Sequence, residues 1–113
     1  MGLFSKNKGK RGEREVAKEL QRVLNVRAGR GVQFKGGPES PDVLIDIPEI
    51  HIECKRVERF NLYESLEQAS NDAGETKIPL VLHRRNKKDW VAIVKLEHLP
   101  KLARIIVTKN TES

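Results

Sequence analysis

A chain of 113 residues is the size of one domain and buries roughly two-thirds of the surface its unfolded form exposes, so no second domain is expected. Hydrophobic residues make up 37% and charged residues 34%, which is globular in apolar content but unusually ionic, and no apolar stretch is long enough for a secretory signal or a membrane span. Twenty-two Lys and Arg against sixteen Asp and Glu leave a net charge of +6, so the average surface potential attracts polyanions and makes nucleic acid the leading partner class.

The basic residues cluster at 6–14, 27–35 and 84–88, whereas the acidic residues are scattered. Any one cluster reads as a solvated loop or a frayed terminus; three together favour a phosphate-binding surface. Cys54 is the only cysteine, which excludes an intrachain disulfide, and His51, His83 and His98 lack the spacing of a structural zinc site. A cytoplasmic protein is expected.

In chain order, residues 1–11 form a Lys-rich basic arm that needs no structure of its own until it meets phosphate. Residues 13–24 predict an amphipathic helix, with Val16, Leu20, Val23 and Leu24 at helical spacing. Between Ala28 and Pro41 the glycines and prolines predict a loop, with Val32-Gln33-Phe34 as a short strand inside it. Residues 43–47 and 50–57 are β-branched runs flanking Pro48-Glu49, which predicts a hairpin; Pro48 cannot take the positive φ of a type I′ turn, so a somewhat longer loop is expected. A helix over 62–73 ends at Gly74, strands follow at 78–83 and 90–95, then a short helix at 96–102 and a polar tail over 107–113. Helix, strands, helix and strands in this order predict an α/β fold around one mixed sheet.

Symmetry about the Pro48-Glu49 turn pairs residues whose numbers sum to 97: Asp42 with Lys55, Leu44 with Glu53, Asp46 with His51. These six side chains would share one sheet face, with Asp42 and Glu53 diagonal neighbours roughly 7 to 8 Å apart at the backbone. Val43, Ile45, Ile47, Ile50, Ile52 and Cys54 would form the opposite, core face. Two converging carboxylates in a partly covered site repel each other, so a positive charge belongs between them: Lys55, and a divalent cation with the oxygen-rich coordination that Mg²⁺ prefers. An exposed polar sheet face with ordinary salt bridges would give the same alternation. Glu13 shares the buried helical stripe with Val16, Ala17 and Leu20, where a carboxylate needs a partner, although an acid near a helix N-terminus is also favoured by the helix dipole. Glu15 and Glu19 lie with Lys18 and Arg22 on the polar side.

Pro41-Asp42, ten residues, then Glu53-Cys54-Lys55 resembles the PD-(D/E)xK nuclease signature. The opening Lys10-Arg11-Gly12-Glu13-Arg14-Glu15, the segment Val26-Arg27-Ala28-Gly29, and the later Leu62-Tyr63 and Ile78-Pro79-Leu80-Val81-Leu82 resemble archaeal-type Holliday junction resolvases in order over residues 8–96. The loop before Pro41 is longer and richer in Gly and Pro than in those resolvases. The resemblance implies a restriction-endonuclease-like core with mixed sheet and flanking helices in αβββαβ order. It implies a Mg²⁺-dependent endodeoxyribonuclease, with Mn²⁺ as a substitute, acting as a homodimer on branched DNA. By the same resemblance Asp42, Glu53 and the backbone carbonyl of Cys54 would hold the metal, Glu13 would bind it through water or help hold a second ion, and Lys55 would orient or deprotonate the attacking water. Glu39 and Asp46 are alternative acids. Lys10, Arg11, Arg14, Arg27, Arg30, Lys35 and Arg56 are the candidate DNA contacts, Gln68 is a possible site residue, and Tyr63 and Trp90 are either stacking surfaces or core.

Overall fold

The computed structural model describes residues 2–31 and 42–111, with side chains from residue 11 onward. Helix α1 (Gly2–Leu24) precedes strands β1 (Ala28–Arg30), β2 (Val43–Ile45) and β3 (Ile50–Arg56), helix α2 (Leu62–Ala73), strands β4 (Ile78–Arg84) and β5 (Val91–Ile93), and, after a 3₁₀ turn at Leu96–His98, helix α3 (Leu99–Thr111). The five strands form one mixed sheet in sequential order, β3 and β4 parallel and every other pair antiparallel. The parallel pair needs a crossover, and α2 supplies it. This is the α/β architecture expected from the residues.

Alternation along the two central strands sorts their side chains to the two faces. Ile50 and Ile52 of β3 and Ile78, Leu80 and Leu82 of β4 join Val43 beneath Val16, Ala17 and Leu20 of α1 and Leu102 of α3. On the other face Val81 packs against Leu66 and Ala69 of α2, with Phe60 and Ile93 beside them. Asn61 caps α2, its side chain accepting the Glu64 N–H at 3.0 Å, and Gly74 ends the helix at φ 73°, a backbone conformation that glycine adopts without strain.

Several boundaries differ from expectation. Helix α1 begins at Gly2 instead of near Glu13: no proline stands between Leu3 and Arg11, and the good helix formers Lys6, Lys8, Lys10 and Arg11 carry the helix through Gly9. At the other end α3 runs to Thr111, through residues expected as tail, and Lys109 reaches back to Asp46 at 3.1 Å. The strand after α1 is Ala28–Arg30, paired with β2, whereas the strand expected at Val32–Phe34 lies outside the described residues. Among the described residues no helix is long and apolar enough to cross a membrane.

The hairpin carries the most consequential difference. The Ile50 N–H donates to the Ile47 carbonyl at 3.3 Å, which puts the turn at Pro48-Glu49 as expected. By Val43, however, the partner is Ile52, so the register has slipped by two residues. Asp46 and Ile47 leave the ladder in a bend, which makes the connection longer, as Pro48 requires, and removes Asp46 from the position opposite His51. Asp46 instead accepts the Arg27 N–H and pairs with Lys109. A slip of two preserves which side chains share a face, so the core face forms as expected, with Val43, Ile47, Ile50 and Ile52 buried and Ile45 and Cys54 packed at its margin.

Helix α1 crosses β3 at Gly12. A Cβ there would lie 2.7 Å from the Arg56 Cβ, whereas one added at Gly29 meets nothing within 4 Å. Gly12→Ala should therefore lose about 1 to 3 kcal/mol of unfolding free energy by overpacking, with Gly29→Ala far less affected, as read by urea denaturation. Equal effects would show that α1 does not cross at Gly12.

Candidate active site

The C-terminal half of β3 delivers Glu53, Cys54 and Lys55, and the bend just ahead of β2 delivers Asp42. Three main-chain links hold Asp42 there. Its N–H donates to the Ile52 carbonyl at 3.0 Å, its carbonyl accepts from the Gly31 N–H at 2.9 Å, and its Oδ2 accepts from the Cys54 N–H at 2.9 Å. These bonds to Ile52 and Cys54 hold Asp42 against β3 on either side of Glu53, and the two carboxylates act on one another. Glu53 is 6% exposed.

The electrostatics bear the mark of this proximity. Asp42 is raised from an ordinary 3.8 to about 6, by burial first and by the Glu53 carboxylate, against the Cys54 N–H and the Lys55 ammonium, which lower it. Lys55 forms no ion pair with a described residue. The Cys54 thiol is pushed up to about 12, first by burial and then by the fields of Asp42, Glu13, Glu15 and Glu53, which keeps the thiol neutral.

Glu13 lies on the α1 stripe with Val16, Ala17 and Leu20 and is 18% exposed at its side chain. It makes no direct bond to Asp42, Glu53 or Lys55. Its Oε1 accepts from Arg30 Nε at 2.8 Å, and Arg30 immediately precedes the Gly31 that holds the Asp42 backbone. Glu13 is therefore linked to Asp42 through Arg30 and the Gly31 N–H, not by direct contact.

The remaining sequence candidates divide clearly. Arg11, Arg14 and Arg27 are exposed. Arg30 is engaged by Glu13, and the Arg56 side chain, 12% exposed, bonds Asn86 and Glu58. The side chains of Lys10 and Lys35, together with Glu39 and Pro41, lie outside the described residues. Gln68 is exposed, Tyr63 stands 82% exposed near the start of α2, and Trp90 packs at the core margin with its Nε1 3.3 Å from Glu15. Glu15 also takes Arg84 at 2.7 Å, so it is a cross-link and not the solvated acid expected.

Two residues escaped the reading of the sequence as site residues. His51 is 1% exposed and its Nε2 lies 2.8 Å from Glu53 Oε1. Asp72 of α2 completes a group in which one ligand atom each from His51, Glu53 and Asp72 lie within 4.8 Å of one another. The His-x-Glu alternation of β3 was a visible signal for the first pair; the approach of Asp72 depends on how α2 seats on the sheet.

A groove of about 760 Å³ between α1, β4, β5 and α3 lies away from this corner, lined by Leu20, Val23, Leu82, Trp90, Leu102 and Ile106, and Glu15 and Glu19 within it are already paired with Arg84 and Arg22. It offers no free carboxylate pair comparable to Asp42 and Glu53.

A family model described as "Phage putative PDDEXK endonuclease" matches residues 4–112, and the chain belongs to that family. Comparisons with curated proteins and with solved structures find no match. The family makes the chain a nuclease of the PD-(D/E)xK superfamily and implies a DNA substrate; the match is to the superfamily and not to the Holliday junction resolvases in particular. Nucleases of this kind use divalent metals, and the donor set here, two interacting carboxylates with Asp42 raised by burial and repulsion, fits a cation.

Because its folded pKa is raised, charging Asp42 opposes folding: the penalty is full above about pH 6 and disappears as the pH falls below the unfolded value near 3.8. In EDTA, Asp42→Asn should melt a few degrees above the wild type at pH 7.5, with the difference gone by pH 4. A variant less stable than the wild type at pH 7.5 would refute the repulsion.

Proposed function

We propose that the protein is a Mg²⁺-dependent DNA endonuclease whose reaction centre is Asp42, Glu53, Lys55 and Glu13, and that its substrate is branched DNA, a four-way junction first. The observation that carries the reading is that the Asp42 carboxylate, held on β3 by the Cys54 N–H, is raised by its neighbour Glu53 and lowered by the Lys55 ammonium. Asp42 and Glu53, with the Cys54 carbonyl, would hold Mg²⁺, for which Mn²⁺ would substitute. When bound, the cation neutralises charge developing on the scissile phosphate and acidifies water.

The protein side of the chemistry follows from the contacts. The Cys54 N–H fixes Asp42 Oδ2, and Oδ1, beside Glu53, would bind the cation. Lys55, without an ion-pair partner among the described residues, orients the attacking water and holds or takes its proton. Arg30 sets the direction of Glu13, which would contribute through water at the rim. Arg11, Arg14 and Arg27 offer exposed guanidinium groups for phosphate. Symmetric cutting of a junction needs two such centres, which a homodimer supplies.

The direct experiment incubates the purified chain with labelled four-way junction and with linear duplex, in Mg²⁺ and in EDTA. Junction cleavage in Mg²⁺ alone supports the proposal; equal cutting of both substrates indicates a general processing nuclease, and binding without cutting in any metal refutes a catalytic role. Asp42→Asn, Glu53→Gln and Lys55→Met should each reduce cleavage by about 10² or more while junction binding persists. Parallel loss of binding would mark these residues as structural.

A further inference from the structure

The charge around Glu53 does not end at Asp42. On the α2 side of the sheet, successive same-face positions of β3 carry His51 and Glu53, and α2 brings Asp72 against them. His51 and Glu53 are almost fully buried, and Asp72 is half-buried. Asp72 makes no ion pair or side-chain hydrogen bond among the described residues. A buried carboxylate with a second one beside it needs compensating positive charge. Lys55 acts on Asp42, on the other flank of Glu53.

We propose that His51, Glu53 and Asp72 form a second divalent-cation site that shares Glu53 with the Asp42 pair and, through its imidazole, prefers Mn²⁺ or another transition ion to Mg²⁺. The proposal rests on the reading of Asp42 and Glu53 as a cation pair only through the shared Glu53. Three observations carry it. The three ligand atoms lie within 4.8 Å of one another, with His51 Nε2 and Glu53 Oε1 already 2.8 Å apart; ligands on one ion with bonds of about 2.0 to 2.2 Å stand at most about 4.4 Å apart, so a shift of a few tenths of an ångström at the half-buried Asp72 closes the set. Strand alternation and burial already order His51 and Glu53, so little side-chain freedom remains to be lost on binding. One nitrogen and two carboxylates form a donor set that suits transition ions, whereas Mg²⁺ keeps to oxygen and to its waters. The partial exposure of Asp72 gives an ion a way in.

The rival arrangement is an imidazolium at His51 that neutralises the two acids without a metal. Mn²⁺ titration of the metal-free chain, followed by the free-ion EPR signal, separates the two, together with pulsed EPR for a directly bonded ¹⁴N. The wild type should bind one equivalent more than Asp72→Asn or His51→Gln and show imidazole nitrogen coupling. Asp42→Asn should lose an equivalent yet keep the coupling. Mn²⁺ bound without nitrogen coupling in the wild type overturns the proposal without recourse to any variant, as does wild-type stoichiometry in both Asp72→Asn and His51→Gln. Cleavage assays keep the two readings apart: Mg²⁺-dependent cutting without nitrogen coupling defeats only the second site, whereas nitrogen-coupled Mn²⁺ on a chain that cuts no DNA defeats only the nuclease reading.

Discussion

The arrangement depends on one electrostatic conflict, the enforced closeness of the Asp42 and Glu53 carboxylates. Neither can withdraw. Glu53 stands on a central strand flanked by β2 and β4, and Asp42 is tied by hydrogen bonds to Gly31, just past β1, and to Ile52 and Cys54 of β3. The cost appears as a carboxyl that holds its proton to about pH 6. Native structures keep such unfavourable pairs where a ligand relieves them. The sheet therefore acts as a scaffold that holds negative charge in readiness, and the packing of α1 and α3 beneath it supplies the rigidity.

The same constraint separates the two faces in function. Below β3 and β4 the residues are aliphatic and closely packed; above them Glu53 and Lys55 alternate with the core and open toward the site, while His51 is covered on the α2 side. Arg30, Arg56 and Arg84, which composition alone would assign to DNA, are held in contacts with Glu13, Glu58 and Glu15. The net charge of +6 thus overstates the free cationic surface, since part of it braces helix, strand and loop against one another.

How much of this was legible in the residues follows from what each inference required. The shared face of Asp42, Glu53 and Lys55 needed only the odd-even alternation of a hairpin, and it survived a two-residue slip that a turn-centred count cannot foresee. The bend at Asp46 arises because its carboxylate finds Arg27 N–H and Lys109, partners distant in sequence. Ala28-Gly29-Arg30 has no β-branched residue and forms an edge strand only because β2 lies beside it. Helix α2 was readable to the residue because Asn61 and Gly74 punctuate it chemically. The ends of α1 and α3 carry no comparable punctuation where the reading stopped them. The His51–Asp72 approach depends on helix seating, which no local pattern records.

The central claim is that Asp42 and Glu53 converge to hold a divalent cation. Its most direct test is a crystal structure of the wild-type chain grown with Mn²⁺ and measured at the manganese absorption edge. The account predicts an anomalous peak bonded by carboxylate oxygens of both Asp42 and Glu53. Density showing these side chains turned apart, or manganese bound elsewhere with neither carboxylate engaged, would contradict it.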